Sequence, residues 1–218
     1  MISMNKFKIV FWDFDGVIKD SVNVKTEAFV DIFKEYGNEL TQKVKEHHIA
    51  NGGMSRFEKI PLYASWAGKE LNDQEINNYS KKFSEIAVQK VIDSNWVLGV
   101  EDILRKNPFG QKFILVSATP EKELQFILKE LDLYDCFVSV YGSPMSKKTA
   151  IVRSINEYLV NTEECIMIGD AKADLEAAKA NHIDFLLRLH DSNQSMTEVF
   201  KGFSVQNFIN YESFFTNK

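Results

Sequence analysis

An apolar run that stops on two acids constrains this chain more than any other feature: Lys8-Ile9-Val10-Phe11-Trp12-Asp13-Phe14-Asp15-Gly16-Val17. A stretch this apolar reads as a buried strand, and buried strands do not normally finish in paired carboxylates. Side chains alternate faces along an extended chain, so Asp13 and Asp15 can aim at one point off the strand's carboxyl end. Gly16 then lets the backbone turn away. Such a terminus suits a cation and a phosphoryl group.

Four further β-branched or aromatic runs, Lys112-Ser117, Phe137-Tyr141, Cys165-Gly169 and Ile183-Leu189, are separated by segments with helical periodicity. Glu121-Leu131 carries Leu124, Ile127, Leu128 and Leu131 on one face, and Thr149-Leu159 does the same with Ile151, Val152, Ile155 and Leu159. Strand and helix in alternation predict an α/β fold, a Rossmann-like parallel sheet covered on both faces. Residues 20–94 break the rhythm. Glu27-Tyr36, Leu40-Ile49, Ser55-Trp66 and Gln74-Ile92 all read as helices with no strand between them, and Ser55 with Glu58 forms a capping-box signature after the Gly52-Gly53 bend. The expected organisation is therefore an α/β sheet core over residues 1–19 and 95–218 with an inserted α-helical domain over residues 20–94. The tail from Phe203 onward is expected to add a last short strand and a helix.

Composition narrows the function classes. The 218 residues carry 26 Lys and Arg against 31 Asp and Glu, a net charge of -5, which argues against a nucleic-acid or anionic-membrane binder because such partners require a concentrated positive surface. A small anionic substrate needs only a few local cations and stays compatible with this charge; no feature of the chain points to a protein partner. Cys136 and Cys165 lie in apolar stretches and read as reduced core thiols. No stretch has the length of a membrane span, and the amino terminus lacks a secretory layout, so a cytoplasmic location is expected. Neither cysteine is followed six positions on by arginine, and neither Gly-x-x-x-x-Gly-Lys-Ser/Thr nor Gly-x-Gly-x-x-Gly occurs, which removes cysteine-phosphatase, P-loop and dinucleotide readings.

Ligands of open parallel sheets bind off the carboxyl ends of the strands. Here the first strand ends in Asp13-Phe14-Asp15-Gly16, the second in Ser117-Ala118-Thr119, the third runs toward Gly142-Ser143-Pro144-Met145-Ser146-Lys147-Lys148, and the fourth ends in Gly169-Asp170 with Asp174 four residues on. These motifs, in this order, resemble the haloacid dehalogenase superfamily. The helical insertion is similar to the cap of its subgroup containing phosphoglycolate phosphatase and β-phosphoglucomutase.

The resemblance implies a magnesium-dependent phosphatase acting on a small phosphomonoester, such as a sugar phosphate or a phosphoglycolate-like metabolite. Asp13 would be the nucleophile that forms an aspartyl-phosphate. Asp15 would be the acid and then the base, its affinity for a proton raised by neighbouring negative charge and cap closure. Mg2+ would be held by Asp13, the backbone carbonyl of Asp15, Asp170 and Asp174, the last as ligand or as support for one. Ser117 and the Ala118 amide would bind phosphoryl oxygens, and a lysine, Lys147 in preference to the adjacent Lys148, would neutralise their charge.

In the cap, Gly53-Met54-Ser55-Arg56 is similar to the stretch that holds a distal anionic group in β-phosphoglucomutase-like chains, so Gly53 and Arg56 are expected to bind substrate. His47, His48 and Lys59 read almost as well as solvated charges. One departure matters: β-phosphoglucomutase-like chains have a histidine ten residues after the second aspartate, where this chain has Lys25. That departure favours a hydrolase over a mutase. A non-enzymatic phospho-aspartate or metabolite-binding regulatory module is the alternative of a different class.

Overall fold

The computed structural model describes residues 4–209. Its centre is a six-stranded, wholly parallel sheet in the order β3-β2-β1-β4-β5-β6, formed by β1 (Ile9–Trp12), β2 (Lys112–Pro120), β3 (Ser139–Ser143), β4 (Cys165–Gly169), β5 (Asp184–Arg188) and β6 (Ser204–Val205). All five expected strands are present. The short sixth matches the expectation for the tail; the helix expected after it falls outside the described residues.

Residue alternation explains why helices cover both faces. From β1, Val10 and Trp12 join one core cluster with Phe113, Leu115, Ile166 and Ile168. Ile9 and Phe11 join another with Ile114, Val116 and Met167. The first face is closed by α5 (Val100–Lys106) and α6 (Glu121–Glu130), through residues such as Ile103, Leu124 and Leu128. The second is closed by α7 (Lys147–Tyr158) and α8 (Lys172–Ala180), through Ile151, Leu175 and Ala178. A short α9 (Met196–Val199) lies near the end of the described chain. Both cysteines are free, and burial raises the Cys165 thiol to about 12, as a core thiol requires.

Between β1 and α5 the chain forms α1 (Val22–Phe33), α2 (Asn38–Ala50), α3 (Arg56–Trp66) and α4 (Asp73–Asp93). These four helices enclose an apolar cluster of their own, including Phe29, Phe33, Val44, Ile60, Tyr63 and Phe83. The outgoing and returning connections are bonded to each other: the Asp20 amide donates to the Asn95 carbonyl (2.8 Å) and the Val97 amide to the Ile18 carbonyl (3.0 Å). The Ser55 capping box is present, with the hydroxyl accepting from the Phe57 amide and Glu58 reaching back to the Ser55 amide at 3.1 Å. Among the described residues no helix is long and apolar enough to cross a membrane.

Phe33 sits at the middle of the helical cluster, fully buried, stacked on Tyr79 (5.4 Å) and edge-on to Tyr63 (5.7 Å). Phe33→Ala should lower the unfolding free energy by about 3–5 kcal/mol, the usual result of emptying a large aromatic site, in urea denaturation.

Candidate active site

Parallel register carries the first two acids to one place. Trp12 pairs with Ile168 and the Asp13 amide donates to the Ile168 carbonyl (2.9 Å), so Asp13 leaves β1 beside the end of β4, where Asp170 follows. The chain then turns sharply: Gly16 adopts φ +77°, and a Cβ there would lie 2.2 Å from Asp170 Oδ2. Only glycine permits both the backbone conformation and the approach of the two loops. Asp174 comes from the first turn of α8, its Oδ2 accepting from the Ala171 amide (3.0 Å). Oxygen atoms of Asp13, Asp170 and Asp174 all lie within 4.8 Å of one another, and all three residues are buried.

Lys147 holds this acid cluster together. As the first residue of α7, after Ser146 has capped the helix through the Thr149 amide, it sends its ammonium to Asp13 Oδ1 (2.7 Å) and Asp174 Oδ1 (2.5 Å). Its neighbour Lys148 is exposed. Burial alone would pull the Lys147 ammonium down, yet the two carboxylates carry it well above its ordinary value. Burial raises Asp13 to about 7, helped by the charge of Asp174 and opposed by Lys147. Asp170 and Asp174 are raised for the same first reason, desolvation.

Asp15 behaves otherwise, and the expectation of a raised proton affinity is corrected. Burial pushes its carboxyl up, but Lys25 lies in direct contact with Oδ2 and, with the Ser21 hydroxyl on Oδ1 (2.6 Å), brings it below the ordinary value. The dominant neighbour is a cation, not an anion. Lys25 also donates to the Thr119 hydroxyl (2.7 Å), tying the start of α1 to the end of β2. There the pairing between β2 and β3 slips between Val116 and Pro120, taking residues 117–119 out of regular register. Ser117, Ala118 and Thr119 line the same cavity as Asp13 and Asp15, and the Ser117 hydroxyl accepts from the Thr119 amide (3.1 Å).

Cap residues close this cavity, whose volume is about 50 Å³. Gly53 packs on α8, where a Cβ would meet the Cβ of Ala173 at 2.5 Å. The Ser55 and Ser143 hydroxyls bond at 3.0 Å. Arg56 reaches the cavity wall, but its guanidinium is paired in bidentate fashion with Glu123 of α6 and accepted by the Ser84 hydroxyl (2.7 Å), over the ring of Phe83. Of the three residues that read almost as well as solvated charges, His48 and Lys59 are buried on the cavity wall; His47 is half-buried against Tyr63 and Trp66.

The structure thus brings Asp13, Asp15, Asp170, Ser117, Ala118, Lys147, Gly53 and Arg56 to one cavity, with Asp174 directly behind it. Sequence reasoning missed His190 and Asn193. His190 Nε2 lies 2.8 Å from Asp170 Oδ2, and the Asn193 amide donates to the Asp170 carbonyl (2.7 Å). A signal existed: His190 follows the carboxyl end of β5, and the strand-end rule applied to four strands was not carried to the fifth. Glu123 had no such signal, since an acid in the first turn of an amphipathic helix is ordinary. The donor set itself suits a hard divalent cation. Two of these buried carboxylates share one lysine and the third faces only His190, which leaves an excess of negative charge out of water that an oxygen-seeking cation would neutralise.

A family model for haloacid dehalogenase-like hydrolases matches residues 10–187. A phosphorylated carbohydrates phosphatase of Thermotoga maritima is 26% identical over 80% of this chain and 82% of its own. A phosphoglycolate phosphatase of Colwellia psychrerythraea is 23% identical over 84% of each. The solved structure of a predicted phosphoglycolate phosphatase from Haemophilus somnus covers 97% of this chain and 99% of its own, with a TM-score of 0.76 at 15% identity, a likeness of fold.

The raised acids have a consequence for the metal-free protein. Asp13 binds its proton more tightly folded than unfolded, so between about pH 4 and 7 the native state holds the extra proton and stability falls as pH rises. In chelator, Asp13→Asn should flatten that decline, measured by urea denaturation across the window; added divalent cation should stabilise the parent chain more than the variant.

Proposed function

This chain belongs to the haloacid dehalogenase-like hydrolases, and we propose that it is a magnesium-dependent phosphatase acting on a small phosphomonoester such as a sugar phosphate. The observation that carries this reading is the convergence of Asp13, Asp170 and Asp174 at the carboxyl edge of the sheet, with the ammonium of Lys147 bridging Asp13 and Asp174. The likeness to the Thermotoga maritima phosphatase, whose name specifies phosphorylated carbohydrates, supports it.

Asp13 attacks phosphorus in line, displacing the alcohol and forming an aspartyl-phosphate that water then hydrolyses. Lys147 neutralises charge on the phosphoryl oxygens, and the Ser117 hydroxyl with the Ala118 amide binds them. Asp15 with Lys25 is the proton-handling pair: it delivers a proton to the departing alkoxide and takes one from the attacking water in the second half, leaving the pair unchanged after a turnover. Asp13, the Asp15 backbone carbonyl and Asp170 would hold Mg2+, with Asp174 fixing Lys147 and bordering the metal; when bound, the ion supplies charge neutralisation for the phosphoryl group. His190 and Asn193 orient Asp170 from behind.

The four helices of residues 20–94 act as a cap domain over the core of residues 1–19 and 95–218. A cavity of about 50 Å³ holds only a few waters, so substrate enters when cap and core part. Lys25, standing where β-phosphoglucomutase-like chains have histidine, favours hydrolysis over transfer within a sugar.

Phosphate release from p-nitrophenyl phosphate tests the reading. Turnover should require Mg2+ and disappear in chelator. Asp13→Asn should lower kcat by at least about 10³-fold, and Ser117→Ala by about 10²-fold, the usual loss for one phosphoryl-binding donor. Stable label on Asp13 without turnover would instead favour a phospho-aspartate regulatory module.

A further inference from the structure

Arg56 and Lys59, three residues apart on α3, face the cavity together but differ in how their charge is matched. Arg56 is neutralised: Glu123 grips both terminal nitrogens, and Ser84 and the Phe83 ring take up the rest of the guanidinium. Lys59 is 1% exposed and has no carboxylate within ion-pair distance among the described residues. Its Nζ lies 2.8 Å from His48 Nδ1 and 5.6 Å from the centre of the Phe29 ring. A buried cation without a counter-charge is costly, and on a cavity wall that cost is relieved by an anionic ligand.

We propose that Lys59, backed by His48, is the cation that binds a second acidic group of the substrate, a carboxylate or a second phosphate, in place of Arg56. This rests on the phosphatase reading and deepens it: Lys147 serves the phosphoryl group being removed, and Lys59 selects esters that carry another negative charge.

The surroundings of Lys59 set how binding responds to pH. Burial pulls its ammonium down to about 7, the charge of Lys25 from α1 adds to that, and Asp15 from the loop after β1 and Glu58 on α3 oppose it. His48 from α2 is buried and held well below its ordinary value, first by burial and then by the charges of Lys59, Lys25 and His47, so it offers a neutral ring. An anion arriving at Lys59 favours the charged amine. Binding of an acid-bearing ester above pH 7 therefore takes up a proton, and its affinity falls as pH rises.

The test compares 2-phosphoglycolate and ethylene glycol bisphosphate, the carboxylate and phosphate arms, with ethyl phosphate, which has no second acid, all in Mg2+. The parent enzyme should prefer at least one acid-bearing ester over ethyl phosphate, and Lys59→Met should lower its kcat/KM by about 10²-fold, mainly through KM, while ethyl phosphate changes less than about threefold. Between pH 7 and 9 the KM of that ester should rise several-fold more than that of ethyl phosphate in the parent enzyme. Calorimetry of the same esters with Asp13→Asn, in buffers of different ionisation enthalpy, should show proton uptake with the preferred acid-bearing ester only. Equal losses for all three esters in Lys59→Met, no preference in the parent, or binding without proton uptake would overturn the assignment. Absence of turnover with intact selective, proton-linked binding would overturn the phosphatase reading and leave Lys59 assigned.

Discussion

Everything at the carboxyl edge of the sheet depends on one ammonium among three desolvated carboxylates. Burial raises the proton affinity of Asp13, Asp170 and Asp174, and their mutual repulsion adds to it. Lys147 answers two of them directly and, being itself buried, is held firmly charged by them. An arrangement with three acids and one such base has a standing deficit of positive charge, which a divalent cation would make up. Replacing the cluster by apolar residues would make an easier core. Its presence at a strand edge marks chemistry rather than scaffolding.

A second electrostatic centre lies a few residues away and has the opposite bias. Asp15 is drawn below its ordinary value by Lys25, and the helical wall adds Lys59 beside the neutral ring of His48. The cavity is therefore acidic on its core side and basic on its helical side, a division that suits a divalent cation toward the sheet and the proposed second acid of the substrate toward the helices. Glu123 sharpens the division by withdrawing Arg56 from it. The same pair, with Ser55 and Ser143, ties α3 to the core, so charge matching and closure are parts of one contact.

Much of this was legible because strand order and strand ends obey local rules. The parallel sheet follows from β-branched runs alternating with amphipathic helices, and the strand ends point to Asp13, Ser117, the Lys147-Lys148 pair and Asp170. Of the two adjacent lysines, Lys147 opens α7 and is buried among the acids while Lys148, one helix position on, is exposed. His190 was missed through incomplete use of the same rule. Lys59 and His48 were undecidable from spacing, since a charged residue on an amphipathic helix faces solvent or cavity according to what packs against it.

The sequence by itself determined the alternation of strand and helix, the insertion of four helices after β1, and the acids, hydroxyl and lysine delivered to the strand ends, because periodicity, capping and turn chemistry act within a few residues. Only the tertiary structure decided the protonation bias of Asp15, the pairing of Arg56 with Glu123 and the burial of Lys59. Those outcomes come from charges brought together across 10 to 67 positions of chain, and the energy of a charge is set by its neighbours in space and by how much water remains around it.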